Sequence, residues 1–540
     1  MSTPVPPLRL GPIVRVLILT AAAIGFLFDT YELLMFPIIG SDSVGELIWV
    51  KPDNTSAGTL ADLGLTDHAD LKRGAPPTSP PVRMWGGRML WVSALCGGIF
   101  GLLGGFLVDR LGRKKVMVGS IIIYSFSPVA AAYSTELWQL VLFRCTTFIG
   151  VCVEMIAAVT WLAELFENKR TRELAIGWTL ACASLGGIFV TEVYNAIVAT
   201  GKTPGALPTI PYLTGHVPGN VAWRFTLLTG LIPGALILMI MPFVPESRVW
   251  RERKLAGTLR RPRFAELFDS SLIRTTLVTA GLSACAYAAA FGALQMGPLL
   301  MAPGLPDIAA KRDKVAERKA ELGKLQKALE TQDEAGKAAG KKMLDPRLAE
   351  LKSEESAFNQ EVKARRGNMQ RWQELGGLSG RILFAILLTL VPSRLLLRLF
   401  LIPGVIVFPL TYFVLVKGDY STFAVAVFFC GLLTVAQMSY MSEYLPKVFP
   451  VHLRGTGGGF ASNVGARMIG TMAATLNTGW LSTFFMPGAP TPTETAMGVA
   501  TAAAILGGAA FAVALVLSFL LPPPRTEEPT TPAAIGPDAD

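Results

Sequence analysis

Apolar runs of about twenty residues recur along the whole chain, and each is long enough to cross a hydrocarbon core of roughly 30 Å as a helix. About twelve such runs can be drawn: residues 12–39, 87–108, 115–134, 138–162, 174–198, 222–244, 272–301, 372–392, 398–416, 420–443, 456–484 and 495–522. Composition agrees. Hydrophobic residues make up 51% of the 540-residue chain and charged residues 16%, where soluble domains carry about a quarter, and the mean hydropathy is +0.46. The expected class is an all-α membrane protein. The first run carries acids and continues past the length of a signal peptide without a small-residue cleavage site, so it is expected to remain in the mature protein.

Short connections show which side each loop faces. Alternate loops hold Arg110, Arg113, Lys114 and Lys115, then Lys169, Arg170 and Arg172, then the cluster from Arg248 to Arg263, then Lys447 and Arg454. The intervening loops near Ser134 and from Pro487 to Thr495 have no basic residue, and the one near Gly418 has only Lys417. The positive-inside rule places both termini in the cytoplasm, for a multi-pass protein of a plasma membrane such as the bacterial inner membrane. Much of the net charge of +10 is therefore topological, and nucleic-acid binding is not inferred from it. The six cysteines (Cys96, Cys145, Cys152, Cys182, Cys285, Cys430) fall in the expected spans without a C-x-x-C pair, and His68, His216 and His452 fall in loops. No zinc site, disulfide framework or membrane histidine is suggested, and no metal, cofactor or catalytic residue is expected. No G-x-x-x-x-G-K-[ST] loop signals ATP use. A proton carrier would have to be a carboxylate.

Three segments interrupt the pattern. Residues 40–86, rich in Pro, Gly, Asp and Thr, form a first external loop or small cap. Residues 303–371 place Val315, Leu322, Leu325 and Leu329 at heptad-like spacing, and Leu344, Leu348, Leu351, Phe358 and Val362 repeat it, which predicts an antiparallel coiled-coil hairpin. Asp345 and Pro346 suit the start of its second helix. Long loops are translocated regardless of charge, so the hairpin is expected outside, as a solvated insertion or as a surface for an external protein partner. Residues 523–540 read as a disordered cytoplasmic tail. The domain plan is a cytoplasmic N-terminus (1–11), a first six-helix half (12–244), a cytoplasmic linker (245–271), a second six-helix half (272–522) and the tail.

The stretch "GFLFDTYELLMFPII" (25–39) places Asp29 and Glu32 inside the first span, three residues apart on one helical face. Lipid exposure of either would be costly, so the face is expected to look into a central cavity. Arg144 in the fourth span is the natural partner, and Glu154 lies about 15 Å further along that helix. Desolvation favours a neutral carboxyl and a nearby guanidinium favours the charged form, so a moving arginine can switch proton affinity. A static ion pair fixing helix register is the alternative. Glu192, Asn195, Gln295, Gln437, Tyr440, Asn463 and Arg467 are further polar residues inside spans, as cavity lining or as helix-to-helix hydrogen bonds.

"GGFLVDRLGRKK" holds Gly105, Asp109, Arg110, Gly112, Arg113 and Lys114 in the order G-x-x-x-D-R-x-G-R-K between the second and third spans. This resembles the signature loop of the major facilitator superfamily. "FRCTTFIGVCVEMIAAVTWLAELFENKRTRE" resembles that family's fourth span and following loop, with Glu164 before Arg172, and "VPESRVW", with Glu246 and Arg248, resembles the end of the sixth span in sugar porters. "SEYLPKVFPVHLRGTGGGFASNVGARMIG" repeats the junction in the second half, with Glu443 and Arg454. The D-T-Y-E stretch resembles the D-G-F-D or D-G-Y-D segment of proton-coupled organic-acid symporters. The second-half counterpart of the signature loop has no acid, and the seventh span lacks the sugar porters' Q-Q-x-x-G-x-N.

The resemblance implies twelve helices in two pseudo-symmetric halves and a transporter, not an enzyme, that moves a small molecule across the bilayer by alternating access. Proton symport of a small organic anion, such as an aromatic or other metabolite carboxylate, is the expected activity, with sodium the alternative coupling ion. Asp29, Glu32, Arg144 and Glu154 would couple protons, and the signature-loop residues with Glu164, Arg172, Glu246, Arg248, Glu443 and Arg454 would gate the cytoplasmic side. A sugar or polyol symporter is the second reading, and a non-transporting receptor or scaffold using the hairpin the third.

Overall fold

The computed structural model describes residues 11–523 except 167–168, 204, 214–217, 256–263, 331–333, 389, 451–452 and 489, so the expected N-terminus and tail lie outside it apart from Gly11 and Pro523. The chain is helical almost throughout. The first half contains α1 (Pro12–Leu47), a short α2 (Thr59–Asp62), α3 (Pro80–Leu111), α4 (Arg113–Ala132), α5 (Leu137–Leu165), α6 (Lys169–Thr200), and α7 (Ala222–Leu228) followed by α8 (Leu231–Ile240). A linker helix α9 (Arg248–Leu255) leads to the second half: α10 (Ile273–Ala289), α11 (Pro306–Glu330), α12 (Glu334–Leu388), α13 (Ser393–Pro409), α14 (Tyr420–Val448), α15 (Arg454–Phe460), α16 (Met472–Gly479) and α17 (Pro492–Phe519).

Helix ends follow local chemistry. Asp419 accepts the backbone N–H groups of Ser421 (3.0 Å) and Thr422 (3.4 Å) at the start of α14. Hydrogen bonding from Ser421, then Thr422, holds its carboxyl below the usual range. Thr491 and Glu494 form a reciprocal capping box on α17.

Packing repeats between the halves. The α1–α6 pairing is echoed by α10 against residues 461–470, α3–α5 by α12–α14, and α4–α8 by α13–α17. Duplicated halves predict this pattern. Among the described residues nine helical stretches are long and apolar enough to cross a membrane. The expected spans 222–244, 372–392 and 456–484 are not among them. The first is divided at Thr229 and Gly230 between α7 and α8, the second carries Glu374 and Arg381, and the third holds Arg467 in a π-helical stretch over residues 461–470.

Residues 48–79 make a small cap, with Trp49–Val50 paired antiparallel to Lys72–Arg73. The hairpin forms from α11 and α12, with Leu322, Leu344 and Leu351 at its centre and Val315, Leu329 and Leu348 against them. Two expectations fail. Leu325 is exposed, and α12 does not start at Asp345 but runs unbroken from Glu334 through Pro346 into the membrane-spanning part. A proline can sit in a helix when neighbouring turns absorb the lost hydrogen bond, and here the packed heptad face spans it.

Candidate functional site

Asp29 and Glu32 on α1 meet Arg144 and Glu154 on α5 in the buried interior of the first half. Arg144 Nη1 lies 3.8 Å from Glu32 Oε2, and Nη2 donates to the Glu32 carbonyl at 3.2 Å. Its guanidinium also stands over Phe36 and Phe148, 5.4 and 5.1 Å from the ring centres. Glycines make room for the acids. A Cβ on Gly25 would fall 2.6 Å from Glu154 Oε1, and one on Gly230 would fall 2.3 Å from Glu32 Oε1. Asp29 has Glu154, Arg467 and Glu32 as its charged neighbours. The carboxylate oxygens of Glu32 have no hydrogen-bond partner among the described residues, and Asp29 faces Glu154, carboxyl to carboxyl. Carboxyl groups so sparsely held can take up or release a proton without dismantling a network.

A central cavity of about 310 Å³ lies between the halves. From α1 it is lined by Thr30, Leu33 and Leu34, which corrects the expectation for Asp29 and Glu32. The acids occupy the adjacent helix face, turned into the first half against α5 and α7–α8, behind the cavity wall. Arg467 does reach the cavity. Its Nη1 donates to Asn463 Oδ1 at 2.6 Å, and Nη2 lies 3.6 Å from Met155 Sδ across the boundary between the halves.

Gln295 lines the cavity, and Gln373, Glu374 and Arg381 of α12 join it. Sequence reading missed these three because the hairpin was taken to end at residue 371, which put Glu374 at the rim of a span. The seven-residue spacing of Glu374 and Arg381, two turns on one helical face, was the available signal.

Other candidates lie elsewhere. Glu192 forms a two-pronged pair with Arg371 (2.6 Å to Nε and 2.6 Å to Nη2) and is half exposed. Asn195 packs against Gly367, whose Cβ, if present, would meet its Oδ1 at 1.8 Å. Tyr440 stacks on Tyr444 at 5.2 Å, and Gln437 is buried in α14 outside the cavity wall. Asn463 lies against Gly101 of α3 and borders a second space.

That second space, of about 770 Å³, opens between α3, α5 and α15 at the end bearing the basic loops, and Gly105, Asp109, Arg110 and Lys254 line it. Beside it the signature loop is tightly built. Arg113 Nη2 meets Asp109 at 3.0 Å and Glu164 at 2.8 Å. Both oxygens of Glu246 accept the Lys114 backbone N–H at 3.1 Å, placing negative charge on the first turn of α4. Trp250 Nε1 donates to the Asp109 carbonyl at 2.7 Å. Gly112 has φ of +105°, and a Cβ there would sit 2.6 Å from Glu246 Oε2, so the motif's glycine is needed for both backbone and space.

These contacts join helices of the first half to one another and to the linker. The space stands beside them while they are intact, and none of them reaches the second half. Glu443 pairs with Lys447 on its own helix, Arg454 is half-buried, and the side chains of Arg172 and Arg248 lie outside the described residues.

The halves are tied at the opposite end, where the hairpin stands. Arg366 of α12 meets Asp42 of α1 at 2.9 Å and donates to the Ile38 carbonyl at 3.1 Å. Arg371 meets Glu192, Arg83 Nε donates to the Thr478 carbonyl at 3.2 Å, and Trp91 Nε1 donates to the Met468 carbonyl at 2.9 Å.

An almost wholly helical fold of two repeated halves around a central cavity is one that secondary transporters adopt. Residues 84–310, under half of the chain, match the model of the Major Facilitator Superfamily. It is 32% identical over 162 residues to the 4-hydroxybenzoate transporter PcaK of Pseudomonas putida, covering 29% of this chain and 30% of the relative. With the arabinose-proton symporter of Bacillus subtilis (strain 168) it shares 26% identity over 159 residues, 29% of this chain and 32% of the relative. These matches therefore span about a third of the relatives' own lengths. A crystal structure of D-xylose-proton symporter superposes with a TM-score of 0.60 at 13% identity, over 94% of this chain and 98% of that one, which establishes the shared fold.

Proposed function

We propose that this protein is a twelve-span secondary transporter that carries a small organic anion with protons by alternating access. The observation that carries the reading is the charge arrangement at the centre: Arg467 and Arg381 line the cavity, and Arg467 also neighbours the buried Asp29. Two arginines against one lining carboxylate favour an anionic substrate, and guanidinium suits a carboxylate's two oxygens. The partial similarity to a 4-hydroxybenzoate transporter supports the same substrate class.

In this reading the basic loops face the cytoplasm and the hairpin faces outside, with both termini cytoplasmic in a bacterial inner membrane. The conformation is open inward. Substrate leaving the arginines lets Arg467 bear on Asp29, which favours proton release, and Arg144 acts likewise on Glu32. The signature loop clamps α3, α4, α5 and α9 so that the first half moves as one body. A sugar substrate is the second reading, supported by the arabinose-proton symporter match.

Liposomes holding a pH-sensitive dye, challenged in turn with carboxylates and sugars, test this. Internal acidification driven by a carboxylate, and lost in Asp29→Asn while counterflow exchange persists, is the expected result. A sugar-only signal overturns the anion assignment; equal loss of accumulation and exchange in Asp29→Asn makes that acid structural.

A further inference from the structure

The cavity has two chemically different ends. Arg467 lies on the side of the basic loops: three residues on, a Cβ at Gly470 would meet Tyr287 Cβ of α10 at 2.6 Å. Gln295 stands two turns beyond Tyr287 toward the hairpin, about 10 Å away along the helix axis. Around it the cavity is rich in acceptors. Glu374 Oε1 accepts the Gln370 amide at 2.8 Å and the Gln373 amide at 3.3 Å, and Gln295 completes the cluster. Gln295 and Gln373 line the cavity with Glu374, and Gln370 stands behind them; the carbonyl oxygens of all three glutamines are buried, with no hydrogen-bond donor among the described residues.

Glu374 is the single carboxylate among the residues lining the cavity. Its Oε2 rests on α6 at Gly187, where a Cβ would come within 2.1 Å, so a glycine is what lets the carboxylate sit there. The amide donors of the cluster point to Glu374 while its carbonyl oxygens go unmet. What such a place lacks is a donor.

We propose that Glu374, supported by Gln295, Gln370 and Gln373, is a specificity-determining subsite for a hydroxyl or amino group at the far end of the substrate from its carboxylate. The inference rests on the anion-transport reading above and narrows it to a bipolar molecule, held by guanidinium at one end and by acceptor oxygens at the other. Met155, Phe291 and Met438 line the cavity as well and suit an apolar or aromatic middle. A site built to receive a donor rejects the analogue that lacks it far more strongly than an apolar pocket rejects a missing methylene.

The test is initial uptake by the full-length protein in liposomes, with benzoate, 4-methoxybenzoate, 4-hydroxybenzoate and 4-aminobenzoate as probes. The wild type should show a KM at least tenfold lower for the hydroxy and amino acids than for the other two. Glu374→Gln should bring that ratio near unity, and Glu374→Asp should restore part of it. A wild type that treats the four acids alike overturns the subsite and leaves anion transport standing. So does a Glu374→Gln variant that weakens all four equally, and where that variant does not fold the wild-type ratios alone decide. Flux with sugars and none with any carboxylate overturns both readings.

Discussion

The two ends of the molecule use arginine–carboxylate pairs for opposite purposes. At the basic-loop end Arg113 gathers Asp109 and Glu164, all from one half, and a cleft stands open beside them. At the hairpin end Arg366–Asp42 and Arg371–Glu192 each join one half to the other. The first set stays within one half; the second crosses between the two. In the alternating-access reading proposed above, the same chemistry is structural or conformational according to which helices it connects.

The strongest way to break this comparison is Arg366→Ala. Arg366 is buried, and removing one member of a buried pair leaves the other uncompensated at about 3–5 kcal/mol. A cysteine placed at the hairpin-end seam should react with a membrane-impermeant thiol reagent at least about a hundredfold faster in this variant. An unchanged rate would mean that Arg371, Arg83 and Trp91 hold the seam without it. Arg113→Ala should instead lower thermal stability in detergent by about 2–3 kcal/mol while leaving accessibility at both ends as it was. A change in accessibility would restore the latch role to the signature loop. Arg371→Ala removes a pair whose members are 40% and 46% exposed, and its effect on seam reactivity should stay within about 1 kcal/mol. Smallest of all, Lys311→Ala, which breaks an exposed pair with Glu361 in the hairpin, should leave flux and seam reactivity unchanged; altered flux would give the hairpin surface a part in transport.

Much of the architecture was legible because the signals are periodic or local. Apolar runs, the heptad leucines and the glycine of the signature loop each impose a geometry on a few neighbouring residues, and Gly112 adopts a positive φ in the structure. The signature loop and "VPESRVW" were read as separate matches, yet Glu246 and Trp250 bind the loop directly. Such contacts join residues more than a hundred positions apart, and no local pattern encodes them. The candidate site was half legible. A carboxylate inside an apolar run announces that it is shielded from lipid, but not whether a cavity or a neighbouring helix shields it. Asp29 and Glu32 turned to α5, while Glu374 was masked by the charged hairpin that runs into it without a break. Glu192, placed among cavity residues by its depth in a span, pairs with Arg371 because α12 extends that far as helix.

That unbroken helix has a mechanical consequence. At 1.5 Å rise per residue α12 is about 80 Å long, and roughly 50 Å of it lies on the hairpin side of Arg366. Tilting such a rod by about 10° at the seam displaces its far tip by close to 10 Å. The hairpin is therefore a pointer fixed to the second half, and a fluorophore near its tip, paired with one on the cap at residues 48–79, would report any rocking of the halves as a change in distance.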